Sequence, residues 1–93
     1  MTKHLIIFAL FYSQLGQTLL AEGLYRKAID MLQKEQNYHL SLALNMYGRL
    51  ISQDPKRKSE SYKLLETSEE IMRNIPYWYN KLQMLRILDF DFN

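Results

Sequence analysis

The sequence predicts an all-α chain of about five helices, packed as successive antiparallel pairs. Three observations carry that reading. Apolar residues recur at spacings of three and four, not two, and Leu40, Ala43, Leu44, Tyr47, Leu50 and Ile51 form the longest such series. Glycine and proline are scarce, at 3 and 2 of 93 residues, so few points interrupt a helix. Valine is absent and threonine appears only three times, which leaves thin material for a sheet.

The breaks divide the chain in order. The first helix is expected over about 3–21, with Leu15, Leu19 and Leu20 on one side, ending near Gly23. The second covers about 24–35, where Ala28, Met31 and Leu32 share a side. Asn37 can cap the third, which runs to about Gln53. Asp54-Pro55 then reads as a stop, followed by a cap and a first-turn proline. The fourth helix starts between Pro55 and Ser59 and ends before Pro76, with Tyr62, Leu65, Ile71 and Met72 at helical spacing. The fifth begins at Pro76 and runs to about Phe90. Short connections make consecutive helices antiparallel neighbours.

Size and charge bound the function. Ninety-three residues make one domain, spanning 1–93. A net charge of +2 without a basic stripe gives no footing for nucleic acid binding by this chain alone. With no cysteine there is no disulfide scaffold, thiolate metal site or cysteine nucleophile, which fits a reducing, cytoplasmic setting. At the start, Lys3 and His4 precede the apolar run Leu5–Tyr12, a pattern shared with secretory signals. Gln14, Gln17 and Glu22 then continue the helical pattern where a cleavage site would need small residues, so a helix of the domain is the reading adopted. The run is also too short for a membrane span, which takes about 20 apolar residues.

An internal repeat refines the picture. Tyr12, Leu15, Gly16 and Leu19 are matched 32 residues later by Leu44, Tyr47, Gly48 and Ile51. Ala28 and Leu32 are matched 33 residues later by Ser61 and Leu65. A third start stands at Trp78–Leu85, with Leu82 in place of the glycine. Close packing explains the glycines: Gly16 and Gly48 would lie where paired helices press together, opposite the small Ala28 and Ser61. Gly23 would end a helix with positive φ.

Residues 12–32, with Tyr12, Leu15-Gly16, Leu19, Gly23, Tyr25, Ala28 and Leu32, resemble the tetratricopeptide repeat, a helix–turn–helix unit of 34 residues. The resemblance implies an α-solenoid of about two and a half units: one over about 9–37, one over about 41–75, and a closing helix or partial unit over 76–93. It implies a concave groove lined by first helices, which here places Ser13, Gln14, Gln17, Asn45, Met46, Arg49, Asn80 and Gln83 against a bound peptide or partner helix. Gln17, Asn45, Arg49, Asn80 and Gln83 are the polar contacts expected, and Tyr79 is an aromatic anchor. The second unit departs from the pattern in its turn, "QDPKRKSE", and in Ser61 where alanine is usual.

No catalytic set emerges. His4 and His39 lack ligand spacing, Glu66, Glu69 and Glu70 read as a solvated face with Lys63 and Arg73, and Lys56-Arg57-Lys58 reads as a solvated turn. Tyr12, Tyr25, Tyr47 and Tyr62 are expected in the core. The ends look uncapped. "LIIFALF" is apolar on several sides, and Trp78, Leu82, Leu85 and Leu88 make a broad apolar face near the other terminus. Leu85 is therefore a candidate for an end-on contact, through self-association or docking to another protein. The expected function is a non-catalytic protein-interaction module without cofactor or metal, with a protein or peptide partner and homo-oligomer formation. The alternative is a peptide-sensing, dimerising fragment of a tetratricopeptide-containing transcription regulator.

Overall fold

A computed structural model describes residues 2–34 and 38–75. These form four α-helices: α1 (Thr2–Gln14), α2 (Thr18–Leu32), α3 (Tyr38–Ile51) and α4 (Lys58–Arg73). The all-helical class expected from apolar spacing holds among the described residues. The fifth helix expected from Pro76, with Tyr79, Asn80, Gln83 and Leu85, lies outside them, as does the Asn37 cap.

The first boundary differs from expectation. The chain breaks at Leu15–Gln17, not at Gly23. Gly16 has φ of +81°, a left-handed conformation that favours glycine. Around it, the Gln17 N–H donates to the Tyr12 carbonyl at 2.9 Å and the Gly16 N–H to the Ser13 carbonyl at 3.1 Å. This paired pattern is a Schellman motif, which satisfies the last carbonyls of α1 and turns the chain back. Gly16 is therefore the turn glycine, and a Cβ there would meet nothing within 4 Å. Gly23 lies inside α2 on an exposed face and ends nothing. Gly16 thus takes the turn role expected of Gly23, while Gly23 has neither a turn nor a close-packing role. Gly16 and Gly48 are consequently not equivalent positions in the two hairpins, despite their similar neighbours.

The remaining boundaries fall close to where the residues place them. The Asp54 carboxylate accepts from the Lys56 N–H at 3.0 Å and caps a short 3₁₀ turn, Pro55–Arg57, which leads directly into α4. α4 ends before Pro76, with the Asn74 N–H bonded back to the Ile71 carbonyl at 3.1 Å.

α1 packs on α2, α2 on α3, and α3 on α4. The three-residue turn makes α1 and α2 an antiparallel hairpin. Hydrogen bonds set the register of the second hairpin. Ser41 Oγ donates to the Ser68 carbonyl at 2.9 Å, and Ser68 Oγ to the Ser41 carbonyl at 2.8 Å. Seven residues along α3 and seven back along α4, Ser61 Oγ donates to the Gly48 carbonyl at 2.8 Å. Contacts that advance on one helix and retreat on the other define an antiparallel pair. The role expected of Gly48 and Ser61 is what the structure shows: a Cβ on Gly48 would sit 3.0 Å from Cγ and Cδ2 of Leu65.

The core runs through all four helices. It takes Ile6 and Ala9 from α1, Ala21, Tyr25, Ala28, Ile29 and Leu32 from α2, the whole expected apolar series of α3, and Ile71 from α4. Two expectations about the surface do not hold. Tyr62 is 69% exposed and is no part of the core. Leu15, Leu19 and Leu20 also face solvent, because the break at Gly16 moves them out of one continuous helix face. Among the described residues, no helix is long and apolar enough to cross a membrane.

Candidate functional site

A cleft of about 370 Å³ opens between α1 and α3. Leu10 and Ser13 form one wall. Leu42, Asn45, Met46, Arg49, Leu50 and Gln53 form the other, and Tyr25 of α2 closes the floor. The spacing of three and four along α3 aligns the second wall as one stripe. A smaller depression of about 180 Å³ continues it between α3 and α4, sharing Leu42 and Asn45 and adding Tyr38, Ser41, Ser68 and Met72. The two together form a shallow channel crossing α3, apolar along its base.

Polar groups stand at its edges. Asn45 borders both depressions. Arg49 is exposed and has no ion pair among the described residues. Ser13 Oγ donates to the Leu10 carbonyl at 2.8 Å. Burial holds the Tyr25 phenol above its ordinary range, offset in part by a hydrogen bond with Ser13. The phenol therefore stays neutral at physiological pH. Of the residues expected at a partner surface, Asn45 and Arg49 line the cleft beside Ser13 and Met46. Gln17 sits apart, in the exposed turn before α2, where its backbone carbonyl begins the helix. Tyr79, Asn80, Gln83 and Leu85 lie outside the described residues.

Sequence reasoning missed a second cluster, on the opposite side of α3. Glu22 of α2 is 8% exposed yet ionised. Its carboxylate accepts from the Tyr47 hydroxyl at 2.6 Å, from Arg57 Nη1 and Nη2 at 3.0 and 2.6 Å, and from Arg26 Nη2 at 3.0 Å. These donors hold its pKa down at about 2, with Arg57 contributing most and burial working against it. Arg57 also spans Glu60, at 3.0 and 3.2 Å. It is a half-buried bridge between hairpins, not the solvated turn residue expected from Lys56-Arg57-Lys58. The Tyr47 ring stacks on Tyr25 with centroids 6.2 Å apart, which links this cluster to the floor of the cleft. Glu22 and Arg57 are 35 residues apart, so no local spacing could announce the pair.

Glu66, Glu69 and Glu70 form an exposed face with Lys63 and Arg73, as their spacing implies. Among the described residues, no group of three or more histidine, cysteine, aspartate or glutamate side chains could hold a metal ion. Compared with family models, curated proteins and solved structures, the chain has no match.

Proposed function

We propose that the chain is a non-catalytic protein-interaction module, built as a short α-solenoid, whose α1–α3 cleft receives an extended or helical segment of a partner protein. The observation that carries this reading is the cleft itself: an apolar base of Leu10, Leu42 and Met46 over Tyr25, edged by Ser13, Asn45 and the exposed cation of Arg49. Such a surface suits a segment that lays apolar side chains on the base and carries hydrogen-bonding or acidic groups at its margins. The nearest-neighbour packing of α1 through α4 supports the solenoid reading.

Selection from a random-peptide library, followed by titration of the recovered peptides, tests it. Arg49→Glu should weaken binding by about tenfold or more, since a charge-assisted contact contributes about 1.5–3 kcal/mol, and Asn45→Ala by about two- to tenfold, since a neutral hydrogen bond contributes about 0.5–1.5 kcal/mol. Tyr62→Ala, on the outer face of α4, should leave affinity unchanged. Peptides that bind Arg49→Glu and Asn45→Ala as tightly as the parent would remove the cleft from the account.

A further inference from the structure

The Leu5–Tyr12 stretch of α1 is apolar around its whole circumference, and α2 and α3 cover only part of it. Leu10 and Ser13 turn toward α3. On the flank away from them, at helical spacing, stand Phe8 (52% exposed), Phe11 (55%) and Leu15 (57%). α2 continues this surface. Its contacts to α3 run through Glu22, Tyr25 and Arg26, and on the opposite flank Leu20 and Met31 are each nearly half exposed. The five side chains make one apolar face at the α1 end of the molecule.

We propose that this face is the contact surface of a homodimer, with a second copy of the chain as its occupant. Its area fits. At about 150–250 Å² per aromatic side chain and somewhat less per leucine or methionine, the exposed fractions give on the order of 500 Å² per copy. With surrounding rim atoms, that approaches the roughly 800 Å² per partner of a standard interface. Its charge fits as well. Among the described residues, α1 holds no carboxylate and this flank carries His4, while on α2 the exposed Lys27 and Asp30, of opposite charge, stand one turn apart beside Met31. A face so poor in net charge meets its own copy with little repulsion, and Lys27 can lay its aliphatic stem on the patch while its ammonium stays in water. An isologous pairing, in which the same patch serves both partners, also closes the assembly at two copies.

The inference does not depend on the cleft, which opens on another flank of α1. Sedimentation equilibrium of the full chain should show a mass rising from 11.2 kDa toward twice that value between about 1 and 100 µM. Phe11→Glu should hold the protein at monomer mass with unchanged helical circular dichroism, because the side chain it replaces is exposed. The chain has no cysteine, so a single introduced thiol reports only on its counterpart in the other copy. Phe11→Cys should form disulfide-linked dimers at least tenfold faster than Tyr62→Cys, whose position is more exposed but remote. A monomer throughout the concentration range, equal cross-linking at the two positions, or a monomer that instead sediments with phosphatidylcholine vesicles would each overturn the proposal.

Discussion

At the scale of single residues, the three glycines carry different constraints, and substitution separates them. Gly16 has positive φ, so Gly16→Ala should destabilise by about 1–2 kcal/mol through backbone strain alone. Gly23 is helical with open space around it, so Gly23→Ala should stabilise by about 0.5–1 kcal/mol. Gly48 faces Leu65 at 3.0 Å, so Gly48→Leu should cost about 3 kcal/mol or more by forcing α3 and α4 apart. Urea denaturation of the three variants measures all three signs. Glu22 supplies a prediction in pH. Its carboxyl titrates at about 2 in the fold, below the 4.5 of an unperturbed glutamate. Protonation therefore favours the unfolded chain: the contribution is complete above about pH 5.5 and is lost as pH falls toward 2. Its size is on the order of 3 kcal/mol, more than half of it gone by pH 3. Glu22→Gln should be less stable at pH 7 and show a flatter loss of stability between pH 6 and pH 3 than the parent. Parallel acid limbs in the two proteins would contradict the assignment. The sequence marked Gly48 correctly because a glycine inside a strong apolar series has few explanations besides contact. It misassigned Gly16 because the repeat pattern outweighed a local signal, a glycine directly after an apolar periodic run, that by itself indicates a helix end.

At the scale of elements, the α3–α4 pair is the best-specified part of the molecule. Small residues spaced by seven on both helices, Ser41 and Gly48 against Ser68 and Ser61, bring the backbones close enough for hydroxyls to reach carbonyls on the opposite helix. Every donor in this seam finds an acceptor, so the hydroxyls are buried at little cost. Ser68→Leu should insert bulk where none fits, costing about 2–3 kcal/mol and lowering the melting temperature by roughly 10 °C or more. Ser59→Leu, exposed on the same helix, should change stability by less than about 0.5 kcal/mol. Thermal unfolding followed by circular dichroism compares the two. The helix edges at Asp54-Pro55 and before Pro76 were legible because capping chemistry and the missing proline N–H act locally. Ser41 and Ser68 were not legible as partners, since an isolated serine in a helix pattern gives no sign of what faces it.

At the scale of the whole molecule, the two hairpins meet through α2 and α3, and that junction sets the shape of the cleft. On one side of α3, Tyr25 forms the cleft floor; on the other, its stacking partner Tyr47 donates to Glu22. The ion pair from Arg57, just before α4, to Glu22 in α2 ties the second hairpin to the first. The apolar periodicity foretold the helices and the α3 core, but it could not foretell this tie, which exists only once two distant turns are brought together. If the hairpins form one body, Glu22 and Arg57 must be energetically coupled. A double-mutant cycle of Glu22→Gln and Arg57→Gln, read by urea denaturation at pH 7, tests this most directly. The structure predicts a coupling of about 1–3 kcal/mol within a single unfolding transition. Effects that add to within about 0.3–0.5 kcal/mol, or two separate transitions, would mean that the hairpins are not joined as described and that the cleft between α1 and α3 does not persist.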